Sequence, residues 1–132
     1  MLARIDHIVL NCRNVKATAD WFERALGLQR EVFGPDQRIA LKFGTQKINL
    51  RPIGAENWIT GNSQEAGGAD ICFITEDGIE SARSRLEEAG VEIILGPVAR
   101  IGSMGPMTSI YFRDPEGSLL EIASYDLADA LS

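Results

Sequence analysis

Four polar side chains fall at matched positions of an internal repeat: His7, Arg51, Asp70 and Glu121. Residues 5–27, IDHIVLNCRNVKATADWFERALG, lie over 68–90, GADICFITEDGIESARSRLEEAG, at a constant offset that sets His7 on Asp70 and Gly27 on Gly90. Residues 40–51, ALKFGTQKINLR, lie over 110–121, IYFRDPEGSLLE, which sets Arg51 on Glu121. Repetition of this kind fixes architecture. It also nominates a site, because charges on the floor of an otherwise apolar cleft are costly unless they pair with one another or hold a metal. Singly, each residue has an ordinary reading. A strand histidine is usually hydrogen-bonded in the core or at a rim. An arginine usually reaches solvent along its stem. Glu121 would be a solvated rim residue, and Asp70 would simply begin a strand. Their joint placement carries the functional expectation.

The elements that must position these residues follow from periodicity. IDHIVLNC (5–12) is rich in β-branched and aliphatic residues and reads as a strand. Val15, Ala19, Phe22 and Leu26 recur at helical spacing after a potential Asn14 cap, and Gly27 ends the helix. In the second copy Asp77 and Glu80 form a capping-box-like pair, Ile79, Ala82, Leu86 and Ala89 make one apolar face, and Gly90 stops the helix. Three strands follow each helix, near 28–33, 38–43 and 46–52, then near 91–95, 107–113 and 118–125. GTQK (44–47) and DPEG (114–117) turn the last hairpin of each copy. The fold class is α+β: two tandem βαβββ modules that form a cleft. They make up one domain over 1–132, with module one at 4–52, a linker at 53–68 and module two at 69–125. GPVARIGSMGPM (96–107) is expected to be a lid-length loop, and DLADALS (126–132) a short helical or frayed end.

Strand alternation puts His7 with Val9, Asn49 with Arg51, Asp70 with Cys72, and Glu121 with Leu119 and Ala123. Each module must bury one sheet face under its helix, so these residues are expected on the other, concave face. Composition limits the partners. A chain of 132 residues with 45% hydrophobic content can bury a core, and a net charge of −6 argues against nucleic acid or an anionic membrane surface. Cys12 and Cys72 sit in apolar runs and are expected to be buried, reduced thiols. One His and two Cys make a zinc cage improbable. With no leader and no long apolar run, the protein is expected to be soluble and cytoplasmic. The open sheet edges of a four-stranded module favour a homodimer.

IDHIVL near the start, a helix ending in LG, KFGTQKINL (42–50), ADICFIT (69–75), GPVARIG (96–102) and SIYFRDPEGSLLEI (109–122) together resemble the vicinal-oxygen-chelate superfamily, and most nearly its small glyoxalase-domain-containing branch. That superfamily includes glyoxalase I, fosfomycin-resistance proteins, methylmalonyl-CoA epimerase, extradiol dioxygenases and bleomycin-binding resistance proteins. The resemblance implies metal ligands at His7, Asp70 and Glu121, with Arg51 at a fourth ligand position. Arginine cannot ligate a metal, so the four-ligand glyoxalase site is not intact. One His with two carboxylates suits a hard ion such as Mn or Mg, with Ni and Zn as alternatives. A ring-cleaving dioxygenase needs two His and is not expected.

Two functions follow from the resemblance. In the first, a divalent-metal-dependent lyase or isomerase acts on a small oxygenated molecule, with Glu121 as general base and Arg51 clamping an anionic substrate group. In the second, a metal-free protein of the bleomycin-resistance type sequesters an apolar ligand. Arg51 then replaces the metal and pairs with Glu121 and Asp70, and Phe33, Trp58 and Met104 form the walls.

Overall fold

The computed structural model describes residues 1–130. Its contacts divide into two compact units, one of Met1–Gly68 with Asp114–Gly117, the other of Ala69–Arg113 with the chain from Ser118 onward.

The first unit runs β1 (His7–Cys12), α1 (Val15–Leu26), β2 (Gln29–Phe33), β3 (Arg38–Phe43) and β4 (Gln46–Pro52). The second runs β5 (Asp70–Ile74), α2 (Ile79–Glu88), β6 (Leu95–Gly102), β7 (Gly105–Arg113) and β8 (Leu119–Ser124). Each sheet has four strands in the same order, β1-β4-β3-β2 and β5-β8-β7-β6, with the first strand parallel to the last and the other pairs antiparallel. The architecture is therefore the tandem βαβββ arrangement of the repeat.

One face of each sheet is apolar because it must bury a helix. In the first unit Leu41, Ile48 and Leu50 are fully buried together with Ala19, Phe22 and Ala25 of α1. In the second, Ile110, Phe112 and Leu120 do the same with Leu86 and Ile79 of α2. Asn14 caps α1 as expected, its side-chain oxygen accepting from the Ala17 amide at 3.0 Å, and Gly27 closes the helix at φ 69°.

The cap of α2 differs from expectation. Its N-cap is Gly78, with no side-chain bond from Asp77. The carboxylate of Asp129 serves instead, accepting from the Ile79 amide at 3.2 Å and from the Ser124 hydroxyl at 2.6 Å. Asp129 belongs to a short 3₁₀ turn, Leu127–Asp129, in the tail expected to be helical or frayed; residues 131–132 of that tail lie outside the described residues.

The lid expected at 96–107 is also absent. These residues form β6, a tight turn and the start of β7, and the strand placed near 91–95 begins only at Leu95. Gly96 and Pro97 lie on the edge strand β6, where a missing amide donor breaks no ladder, and Gly105 and Pro106 open β7, before its pairing with β8 begins at Thr108. Tyr125 fastens the turn: its hydroxyl accepts from the Met104 amide at 3.2 Å.

Candidate functional site

Opposite each helix the sheets are polar, and ladder register says which residues correspond. In the first unit His7 pairs with Lys47, so Asn49 is the next residue of β4 on the same face. In the second Asp70 pairs with Leu119, so Glu121 is the next residue of β8 on the same face. His7 and Asn49 thus stand to each other as Asp70 and Glu121 do. The gapless repeat alignment set Arg51 on Glu121; register sets Asn49 there. Arg51 lies one pair further on, opposite Asn11, whereas Glu121 is opposite Cys72. Asn49 falls outside the gapless match for two reasons: that alignment sets Ala40 on Ile110 where register sets it on Tyr111, and the connection between equivalent pairs of the last hairpin is one residue longer in the second unit.

Asn49 and Glu121 share a second property. Asn49 is 6% exposed and its Oδ1 has no hydrogen-bond partner; Glu121 is 8% exposed and its Oε2 has none. Buried polar atoms are nearly always paired, and an orphan calls for an explanation such as a ligand.

Around Glu121 a row crosses three strands, Cys72 on β5, Glu121 on β8 and Tyr111 on β7, with Asp70 and Ser109 on the same face. The Ser109 hydroxyl is fully buried and likewise without a partner. Arg100 donates from Nε to the Tyr111 hydroxyl at 2.9 Å. Desolvation raises the Tyr111 phenol above its ordinary value; the Arg100 bond opposes this and the Glu121 charge adds to it. The Cys72 thiol is pushed up to about 11, by desolvation first and then by the Glu121 carboxylate. Both groups therefore hold their protons at neutral pH. The expectation for the thiols holds for Cys12, which is buried, and fails for Cys72, which is exposed. Cys72 occupies the sheet face that carries no helix, and apolar flanking sequence does not distinguish that face from the core.

In the first unit His7 is exposed, with Nδ1 2.9 Å from Asp6 Oδ2. Arg51 is 3% exposed and its donors are engaged. Nε donates to the Trp58 carbonyl at 3.1 Å, Nη1 to Asn11 Oδ1 and Gln64 Oε1 at 2.9 Å each, and Nη2 to the Ala55 carbonyl at 3.2 Å. The pairing of Arg51 with Glu121 and Asp70 is thus corrected: its hydrogen-bond partners are neutral oxygens of β1 and the linker. A guanidinium offers five donors in a fixed fork, and the segment after β4 presents carbonyls that need them. Of the expected wall residues, Trp58 stacks under the Arg38 guanidinium at 4.0 Å, Phe33 lies 3.6 Å beneath Lys47 Nζ, and Met104 stands 77% exposed in the β6–β7 turn.

The DPEG turn does more than close a hairpin. Glu116 is 8% exposed; Oε1 accepts from the Asn14 amide at 2.9 Å and Oε2 lies 3.1 Å from Arg13 Nε. The Arg13 guanidinium also donates to the Glu116 carbonyl at 2.9 Å. A Cβ on Gly67, at φ 82°, would stand 2.3 Å from that same carbonyl oxygen, so only glycine fits there. The motif is a structural clamp on the start of α1.

Among the described residues no three His, Cys, Asp or Glu side chains gather in a metal-holding group. Asp70 and Glu121 supply two oxygen donors on one face, and the unpartnered Oε2 fits a divalent ion in kind. No helix is long and apolar enough to cross a membrane.

Known proteins match this arrangement along most of the chain. The virulence protein STM3117 of Salmonella typhimurium is 40% identical over 125 residues, 95% of this chain and 86% of that protein. Its crystal structure superposes with a TM-score of 0.91 over 96% of this chain and 99% of that one. The integron cassette protein VCH_CASS1 from the mobile metagenome of V. cholerae gives a TM-score of 0.92 at 41% identity, over 96% and 98% of the two chains. The metallothiol transferase FosB of Shouchella clausii is 41% identical over 134 residues, 100% of this chain and 87% of that protein. Residues 4–122 match the family model, and the chain belongs to the Glyoxalase/Bleomycin resistance protein/Dioxygenase superfamily.

Proposed function

We propose that the chain is a divalent-metal-dependent enzyme of the lyase or isomerase kind, acting on a small oxygenated molecule at the polar face of the second unit. The observation that carries this reading is the buried Glu121 carboxylate with Oε2 unmatched. An unpaired buried charge is expensive, and a bound cation or substrate removes the expense. The similarity to a metallothiol transferase supports metal dependence. Asp70 and Glu121 would hold the ion, with His7 as the third ligand that the family resemblance assigns. When bound, such an ion supplies Lewis-acid polarisation of vicinal substrate oxygens.

The protein's own groups have complementary tasks. Tyr111 accepts from Arg100 and meets the Glu121 carboxylate with its own hydroxyl, so the phenol and the carboxylate would act on a substrate oxygen as a pair. Ser109 offers a buried hydroxyl on the same face. Cys72 stays a neutral thiol. Arg51 contributes by fixing the linker, with its donors already occupied there. The metal-free reading loses its main support with that assignment, because it required Arg51 to stand in for the dication.

Calorimetric titration with Mn²⁺, Mg²⁺, Ni²⁺ and Zn²⁺ tests the proposal. One ion per chain is expected, with affinity lowered at least about tenfold, or 1.4 kcal/mol, in Glu121→Gln, Asp70→Asn and His7→Ala. A parent that binds none of the four ions overturns the metal reading. A parent whose affinity survives His7→Ala removes His7 from the ligand set. The protein is also proposed to be a homodimer in the cytoplasm; light scattering at about twice the 14.4 kDa chain mass tests the assembly.

A further inference from the structure

A cavity of about 230 Å³ lies in the first unit, where β3 begins and β4 ends, beside the first turn of α1. Its lining shares Trp58 with the walls expected from the sequence and no residue with the row around Glu121. Ile39, Leu50, Pro52 and the indole of Trp58 line it with apolar surface, and Asp36 and Glu56 bring two exposed carboxylates. A dry cavity of about 150 Å³ already holds benzene, so this volume admits one ring with a short chain.

Charge selects among such ligands. Neither Asp36 nor Glu56 is engaged in an ion pair among the described residues. The one cation in the lining, Arg38, is already committed: its guanidinium sits 4.0 Å over the Trp58 ring and donates to the Asn57 carbonyl at 2.9 Å. The lining therefore carries two carboxylates against one guanidinium, a net negative charge, beside an apolar, partly aromatic surface.

The cavity is also built. Gln37 at φ 54° and Asn57 at φ 56° are the only non-glycine residues with left-handed backbone among those described, and both sit in the segments that line it. That conformation costs free energy and persists where surrounding structure enforces it, often at ligand sites. From the other side, Arg51 holds the carbonyls of Ala55 and Trp58.

We propose that this cavity binds a small organic cation: an aromatic or branched apolar body against Trp58, Ile39 and Leu50, and an ammonium group at Asp36 and Glu56. The test is a nuclear magnetic resonance titration of the ¹⁵N-labelled chain with phenethylammonium, phenylacetate and methylammonium. Shifts should concentrate on residues 36–39, on 55–58 and on the Trp58 indole N–H. Phenethylammonium should bind at least about tenfold more tightly than either control, a difference of 1.4 kcal/mol. The double variant Asp36→Asn/Glu56→Gln, with both changes on exposed side chains, should keep its spectrum and lose the preference for cation over anion. Equal binding of phenylacetate, a preference retained in the double variant, or shifts centred on Tyr111 and Cys72 would overturn the proposal. So would no shift up to about 10 mM, the weak end expected for a ligand of so few atoms.

Discussion

The two units share strand order and helix placement, yet they use the sheet face opposite the helix in different ways. In the first that face carries His7, Lys42, Lys47 and Arg51. In the second it carries Asp70, Cys72, Tyr111 and Glu121. The helix-facing side is constrained in both, because each sheet must bury its apolar residues there. The other side is free to diverge, and it has done so in charge and in satisfaction. The first unit matches its buried guanidinium with four neutral acceptors and so fixes the linker. The second leaves a buried carboxylate oxygen unmatched. At the equivalent position both units leave a buried oxygen unmatched, a neutral amide oxygen of Asn49 in the first and a carboxylate oxygen of Glu121 in the second, and the charged one is the more costly to leave so.

The largest test of that contrast is a pair of arginine replacements. Arg51→Met keeps the stem and strands four acceptors, so it should lower unfolding free energy by about 3 kcal/mol in denaturant titration. Arg100→Met, at an exposed residue of the second unit, should change it by less than about 1 kcal/mol. Equal effects would mean that Arg51 is no more structural than Arg100, and the contrast would fail.

Helix capping gives the next step down. Both helix starts are held by an acidic residue distant in sequence: Glu116 accepts from the amide of the Asn14 cap of α1, and Asp129 caps α2. Glu116 is more deeply buried and also meets Arg13, so Glu116→Ala should cost about 2 kcal/mol and Asp129→Ala about 1 kcal/mol. The reverse order would show that the tail matters more than the DPEG turn.

These caps also mark what was legible beforehand. Strand and helix positions came from alternation and 3.6-residue spacing, which are local, and the repeat supplied the duplicated topology. Three features were not local. The Asp129 cap joins residues fifty apart, so Asp77 took its place in the sequence reading. The β6 edge strand was hidden by Gly96 and Pro97, which read as loop wherever pairing is unknown. The correspondence of Asn49 with Glu121 depends on one extra residue in a turn and on a one-residue slip of β3 against β7, and a gapless alignment that ignores both moves the match to Arg51. Of the expected site residues, Asp70 and Glu121 do lie on one face of one sheet. Tyr111, Ser109 and Arg100 join them through β6 and β7, strands whose pairing alone brings those residues into the row.

A smaller effect, of opposite sign, separates site from scaffold. If the unmatched Oε2 is held in reserve for a ligand, Glu121→Gln should stabilise the ligand-free chain by about 1 kcal/mol, since a neutral amide is less costly to bury. Asn49→Asp makes the opposite change at the matching position and should destabilise by a similar amount, about 1 kcal/mol. Thermal unfolding in chelator reads both. A destabilised Glu121→Gln would mean that the carboxylate already has its partner in the fold.

The smallest effect is read through the thiols. Cys12 is pushed up to about 12 by burial, with the carboxylates of Glu116 and Asp114 adding to it, and Cys72 to about 11. Both folded values lie above the ordinary 9.0. The neutral thiol is the favoured form in the fold, so the Cys12 contribution is complete below pH 9 and is lost as pH rises towards 12. At pH 8 a thiol of this kind is ionised to only about one part in a thousand, so Cys72 should label slowly although it is exposed. Desolvation is the first cause there and the Glu121 charge the second. Glu121→Gln removes the second and, with it, the hydrogen bond to the carboxylate that comes third, and should speed alkylation of Cys72 at pH 8 by about threefold to tenfold. Cys12, whose charge neighbours are Glu116 and Asp114, should keep its rate in that variant. Mass-resolved labelling of the two cysteines separates them. Acceleration of both would indicate general loosening of the fold, and acceleration of neither would mean that the charge of Glu121 does not reach the Cys72 sulfur.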